Sequence, residues 1–473
     1  MDMEKKKNVV MILGVLLAVL ILGAGIPLYI TMSNKLAAKK AAAEEAAKAN
    51  LYLGRYSEYE LFQGVPIMAK EDAIYTEAAA VGGGDYLITA ENTSLEDYQA
   101  YLSILEKNGF EKILDNGEKG IEGYVYTAHY QKGDLLLIVS HIVKLTKTTI
   151  TANAESLLSE RLFYDEAVNK SIQGNEKTKL HVTEMKEVGG GFVLQLKNGH
   201  FLLYDGGRAT NSENLLSYLE SLVPAGEKPI VDAWIFSHSH SDHIGVLKSF
   251  ADNKNNAKRI YVESVYYTNP GDEIIEIYEN IDNDVKAQLM YLRAASELLE
   301  SSSGTKPPVY RMRLGERYYF SDFTMDVIFT PELLELEAWE TWNSSSVVLM
   351  FTIEGQKVLF TGDADWCCQL LYTDMYDSDY FDLTIYGVPH HGINVYKQIT
   401  YRLGNIQTAI YPTSVIGTTF GAASYLGRKP QNEHLVSVAQ ESLTWGDGTK
   451  ILTFPYQIGT YESLPQLFET EEE

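Results

Sequence analysis

Ala233-Trp234-Ile235-Phe236-Ser237-His238-Ser239-His240-Ser241-Asp242-His243 is an apolar run that ends in three imidazoles and a carboxylate. Side-chain direction alternates along a strand, so His238 and His240 leave its end on the same side. A tight turn then brings Asp242 and His243 round to face them. Neutral imidazoles and a carboxylate are the ligands that zinc, manganese or iron accepts, and four such groups suffice to begin a two-metal site. The plain alternative is a polar loop with coincidental histidines. Only ten histidines occur in 473 residues, which makes this spacing by chance a poor explanation.

The rest of such a site has candidates further along. Val358-Leu359-Phe360-Thr361 reads as a buried strand that ends in Gly362-Asp363. A carboxylate there, preceded by a glycine that allows close backbone approach, is well placed to bridge two cations. A second strand, Leu383-Thr384-Ile385-Tyr386, runs through Val388-Pro389 into His390-His391-Gly392. No histidine lies between His243 and His390.

These elements, in this order, resemble the metallo-β-lactamase superfamily, and within it the branch of the C-terminal domain of the competence protein ComEC. Glu187-Val188-Gly189-Gly190-Gly191, Leu202-Leu203-Tyr204-Asp205-Gly206-Gly207 and Asn343 to Ser346 add to the resemblance, which covers about Thr178 to Tyr461. It implies an α/β fold, a four-layer αββα sandwich with the metals at one edge. It also implies two divalent ions, Zn or Mn, with His238 and His240 on one, Asp242 and His243 on the other, and Asp363 between them. Many members carry a further histidine ahead of the bridging aspartate; here Asn343 stands in that region. His434 falls where the branch has a late active-site histidine and is expected as a further ligand. His390 and His391 become a spare ligand and a contact to the substrate oxyanion, with Asp242 also orienting the attacking water. Phe192 and Ile393 depart from the branch, replacing an acidic residue and a serine.

Outside that region, Val9 to Ile30 is almost wholly apolar and, as a helix, rises about 33 Å, enough to cross a bilayer core of about 30 Å. Residues 1–34 are therefore expected to be a short cytoplasmic tail and a single transmembrane helix, with the body outside the cytoplasm, and 35–80 a helical stalk and linker. A small α+β domain is expected over 81–155: Ser94 and Asp97 form a capping box before Leu95, Tyr98, Leu102 and Leu105 at helical spacing. The metallo-β-lactamase-like domain follows over 178–465, then an acidic tail over 466–473. Cys367 and Cys368 are neighbours and exclude a disulfide framework. A formal net charge of −25 weighs against general affinity for nucleic acid. Lys248, Lys254, Lys258, Arg259, Arg428 and Lys429 are the candidates for a local anion rim. The function expected is membrane-anchored, metal-dependent hydrolysis of a phosphodiester in DNA, a nucleotide or a cell-wall polymer. The rival is a binding protein of the same fold without catalysis.

Overall fold

A computed structural model of the chain describes residues 62, 64–68, 74–75, 79–82, 85–153, 176–268, 275, 292–320, 323–334, 338–414 and 429–468. The expected transmembrane helix, the stalk up to residue 61, the tail from residue 469 and Arg428 lie outside them. No helix among the described residues is long and apolar enough to cross a membrane.

The first sheet is antiparallel throughout and is built from β1 (Ile74–Tyr75), β2 (Ala79–Gly82), β3 (Asp85–Glu91), β4 (Glu111–Asp115), β5 (Val125–Lys132), β6 (Leu135–Ile142) and β7 (Lys147–Asn153). Helix α1 (Leu95–Lys107) covers one face and begins at the Ser94–Asp97 capping box. Alternation along β6 sends Leu137 and Val139 to that helix-covered core, and Leu136 and Ile138 to a core shared with the rest of the chain. A strand buried on both faces needs an unbroken apolar run, which Leu135 to Val139 supplies. Polar groups fix the junction: Asn116 Nδ2 donates to Gly315 O at 3.0 Å, and Thr127 Oγ1 to Leu314 O at 3.0 Å.

Two further sheets follow, of nine and seven strands. One contains β8 (Lys179–Val182), β9 (Gly191–Gln195), β10 (Phe201–Asp205), β11 (Ile230–Ile235), β12 (Tyr261–Val262), β13 (Val265–Tyr267) and β14 (Val309–Arg311). The other contains β15 (Arg317–Phe320), β16 (Phe323–Phe329), β17 (Val348–Ile353), β18 (Gln356–Phe360), β19 (Leu383–Gly387), β20 (Ile406–Ile410) and β21 (Glu441–Leu443). The last strands, β22 (Lys450–Thr453) and β23 (Glu462–Ser463), return to the earlier sheet beside β8. In both sheets an antiparallel meander passes into parallel pairing, at β10–β11 and at β18–β19.

Core packing sets the layers. Leu194, Leu202, Tyr204 and Ile235 of one sheet meet Val327, Leu349, Phe351 and Phe360 of the other. On the far side of the first, Phe201, Leu203 and Trp234 pack against α2 (Ser212–Ser221) and α3 (Ser241–Asp252) through Leu216, Leu219, Leu247 and Phe250. On the far side of the second, Leu359 and Tyr386 pack against α5 (Trp366–Met375) through Cys368 and Tyr372, with Leu435 of α7 (Lys429–Val438) in the same core. Between them in chain order lie two short helices, α4 (Lys254–Ala257) and α6 (Lys397–Thr400). The result is a mixed α/β, sheet-rich fold with helices outside two facing sheets. Cys368 is one of its buried apolar groups. The parallel strands β10, β11, β18 and β19 deliver their carboxyl ends to one edge, where ligand sites of such sheets are expected.

Candidate metal centre

Each strand end places particular groups. After β11, Phe236 is still in the helix-side core, and the chain then turns through Ser237 to His240, whose extended backbone starts α3. Asp242 and His243 thus sit in the first turn of that helix, facing back over the strand end. After β18, Gly362 adopts φ 53°. A Cβ there would stand 2.6 Å from Ser237 Cβ, so only glycine lets this turn approach the histidine loop. After β19, His390 and His391 both take positive φ, at 50° and 55°. Successive left-handed non-glycine residues are uncommon and concentrate where function holds them.

The side chains converge on Asp363. One group that could hold an ion is His238, His240 and Asp363; another is Asp242, His243, Asp363 and His391. Asp363 belongs to both. His243 Nε2 lies 3.1 Å from Asp363 Oδ1, His391 Nε2 lies 3.3 Å from Asp242 Oδ2, and His238 Nε2 lies 2.9 Å from His240 Nδ1. Two ligands each about 2.1 Å from one tetrahedral ion stand roughly 3.4 Å apart, so these separations fit ligand atoms around shared cations. Apart from these contacts within the ligand groups, His243 Nε2, His391 Nε2 and Asp363 Oδ2 are buried without a hydrogen-bond partner. Buried polar atoms are rarely left so, and cations would satisfy all three.

The opposite ring nitrogens are held from behind. His243 Nδ1 is 2.8 Å from Asp205 Oδ2, and His391 Nδ1 is 3.0 Å from Pro412 O. His238 Nδ1 is 3.0 Å from Ser237 Oγ, which itself donates to Asp205 Oδ2 at 2.8 Å. A carbonyl only accepts, so His391 carries its proton on Nδ1 and presents a lone pair at Nε2. Such outer contacts orient and strengthen metal-binding imidazoles. Asp205 is therefore a site residue, although Asp205-Gly206-Gly207 reads in the sequence only as a turn. Gly190 completes this region: a Cβ on it would fall 2.4 Å from His243 Nδ1.

Charge is tightly balanced. Burial pushes the His243 imidazole down, but the Asp363 and Asp205 carboxylates pull it well above its ordinary value. Burial disfavours ionisation of Asp242, yet the adjacent His391 imidazole and the nearby His243 charge hold it below the usual carboxylate range. Asp363 is likewise held low against its burial by His243, His390 and His391. His243 is thus the group from which an arriving cation would displace a proton.

Not every expected residue joins. His434 lies on α7 with its ring 4.8 Å from that of Tyr401, and it belongs to neither ligand group. The His390-His391 pair is sorted: His391 is buried among the ligands, while His390 is partly exposed, 3.6 Å from Asp363 Oδ2 and 3.3 Å from Asn343 Nδ2. Asn343, beside His390, has its Oδ1 buried and without a hydrogen bond. Arg259 is not part of an anion rim, because Glu213 and Glu220 engage its guanidinium at 2.7 and 2.6 Å. Phe192 points into the inter-sheet core against Phe360, with ring centroids 4.9 Å apart.

Residues 192–393 match the Metallo-beta-lactamase superfamily, so this stretch is a domain of that superfamily, whose members are mostly metal-dependent hydrolases. A comparison with curated protein sequences found no match. Among solved structures, a Cronobacter sakazakii metallo-β-lactamase with a HARLDQ motif is 16% identical, over 37% of this chain and 56% of its own, at a TM-score of 0.23. This chain therefore spans little more than half the length of that protein. Zn(2+)-bound PqqB from Methylobacterium extorquens is 11% identical, over 49% of this chain and 71% of its own, at a TM-score of 0.27. A metallo-β-lactamase family protein from Thermus thermophilus is 17% identical, over 43% and 68%, at a TM-score of 0.23.

Proposed function

We propose that this protein is a membrane-anchored hydrolase that cleaves phosphodiesters with two zinc or manganese ions. The observation that carries the reading is the sharing of Asp363 by two ligand groups. His238 and His240 would hold one ion, Asp242, His243 and His391 the other, with Asp363 common to both. When bound, such a pair lowers the pKa of water and neutralises charge on the reacting oxygens. The protein's own groups do the rest. Asp242 orients the nucleophile from the first turn of α3. His390, the partly exposed imidazole beside Asp363, faces the substrate and hydrogen-bonds its oxygens in the transition state. Asp205, Ser237 and Pro412 keep the ligand rings from turning. No serine or cysteine nucleophile is needed.

Phosphodiesters are favoured because the sequence motifs resemble those of the ComEC branch, and the net charge of −25 points to small or cell-wall substrates ahead of long DNA. The anchor rests on the apolar run Val9 to Ile30, with the body placed outside the cytoplasm. The test uses the full-length chain in detergent, loaded with zinc or manganese, against a generic phosphodiester, linear DNA and a β-lactam, beside His240→Ala and Asp363→Asn. Phosphodiester turnover that both substitutions abolish is expected. Turnover of none of these substrates, or turnover indifferent to both substitutions, contradicts the proposal. Protease accessibility of the body in intact cells checks its orientation.

A further inference from the structure

The turn after β10 ends in Arg208, whose backbone is gripped on two sides. A Cβ on Gly245 would meet Arg208 Cα at 2.7 Å, and one on Gly189 would meet Arg208 N at 3.4 Å. Gly207, at φ 78°, makes the bend that delivers it. The glycine of His243-Ile244-Gly245 thus lets helix α3 close over this segment, which ties the position of Arg208 to that of the metal ligands on the same helix.

The side chain is half fixed. Arg208 Nε donates to Val188 O at 3.1 Å, its one hydrogen bond among the described residues. The charged neighbours stop short of hydrogen-bond distance, with Asp242 Oδ2 3.8 Å from Nη2 and Glu187 Oε2 3.8 Å from Nε. The side chain is 41% exposed. Asp242 Oδ2 is also the oxygen 3.3 Å from His391 Nε2, so Arg208 stands beside one ion's ligand set, and its outer N–H groups make no hydrogen bond among the described residues. A guanidinium in that place repels the cations it adjoins, and an anion bound across both relieves the repulsion.

We infer that Arg208 binds the anionic group of the substrate, as a specificity residue for phosphoryl oxygens next to the ion held by Asp242, His243 and His391. A planar guanidinium offers paired donors to phosphate oxygens, a geometry that lysine cannot copy. The inference rests on the metal reading above and adds the substrate's charge requirement to it. The contrast is with Arg259, whose guanidinium two glutamates engage at 2.7 and 2.6 Å, whereas both carboxylates beside Arg208 stand at 3.8 Å.

The test is phosphate binding, not turnover alone. Full-length wild type, R208K and R208Q are loaded with zinc, their zinc content measured, and their affinity for inorganic phosphate read by calorimetry. Expected are equal zinc content, a loss of phosphate affinity of about tenfold or more in R208Q, and partial recovery in R208K. With an anionic phosphodiester, KM rises in R208Q more than kcat falls. Phosphate affinity in R208Q that falls by clearly less than this at equal zinc content overturns the inference and leaves the metal reading standing. Loss of zinc from R208Q also overturns it, by making Arg208 a support for Asp242. A wild type that takes up no zinc removes the metal reading and this inference with it.

Discussion

Asp205 Oδ2 lies 2.8 Å from His243 Nδ1, while the opposite nitrogen of that ring lies 3.1 Å from Asp363 Oδ1. The imidazole is thus strung between two carboxylates, one behind it in the sheet and one in the pocket. Ser237 donates to the same aspartate through its backbone N–H at 2.8 Å, so Asp205 also fixes the start of the histidine loop. Removing this carboxylate leaves the ligands present but their orientation free. Asp205→Ala is expected to lower zinc affinity 10- to 100-fold, roughly the range for loss of an outer-shell partner. Competition with a chromophoric chelator reads this directly, and unchanged affinity would show that the strand itself positions the ring.

Gly245 is required by contact, not by dihedral strain. A methyl there meets Ala209 N at 2.5 Å and Arg208 Cα at 2.7 Å, both backbone atoms that cannot swing away. Gly245→Ala should therefore cost about 1–3 kcal/mol of stability, the usual range for overpacking. Urea denaturation of the metal-free protein measures it, and no shift in midpoint would place α3 further from the β10 turn than described.

Gly190→Ala should act on the metal and not on the fold. The new methyl would crowd His243 Nδ1 at 2.4 Å and Asp205 Oδ2 at 3.1 Å, displacing the ring from its carboxylate. Zinc affinity falls while the metal-free unfolding midpoint moves little. A variant that binds zinc like the wild type refutes the assigned packing.

Stability should depend on pH through two histidines outside the site. Burial, with a smaller effect of the Lys179 charge, holds His181 down to about 3, and its Nδ1 pairs with Tyr218 Oη at 2.7 Å. Burial likewise lowers His141 to about 4, against the pull of Asp97 and Glu96. The unfolded chain binds protons at both from about pH 6.5 downward, whereas the folded chain does not until much lower. Stability is therefore complete above that pH and declines as pH falls towards 4 and then 3. Urea midpoints of the metal-free protein from about pH 7.5 to about pH 5 should drop, and drop less in His181→Gln. An equal drop in that variant removes His181 as a cause.

What could be read in advance was what is local. His238, His240, Asp242, His243 and Asp363 stand out because ligand types recur at strand ends marked by glycine or a helix start. The apolar run of β11 was readable because both faces are buried. Asp205 was hidden, since a buried carboxylate and a turn aspartate look alike until the ring it holds is in place. Which of His390 and His391 is buried beside Asp242 and Asp363 depends on Pro412, 21 residues away. The edge strand Glu111–Asp115 escaped for a different reason: it is largely exposed and carries too few apolar residues to show a period. His434 stands apart from both ligand groups because a motif position fixes no distance, and its helix sets the ring against Tyr401. Arg208 was passed over because nothing near it in sequence tells that Gly245 closes on it.

Asp363 as the joint between two cation sites is the relationship on which the proposed chemistry depends. Zinc bound per chain, measured by elemental analysis after removal of loosely held metal, tests it most directly in the full-length wild type, His240→Ala, His391→Ala and Asp363→Asn. Two ions in the wild type are expected from the two ligand groups, with each histidine variant weakening one site and Asp363→Asn weakening both. A single ion in the wild type, or an Asp363→Asn protein that keeps both at full affinity, would contradict the account.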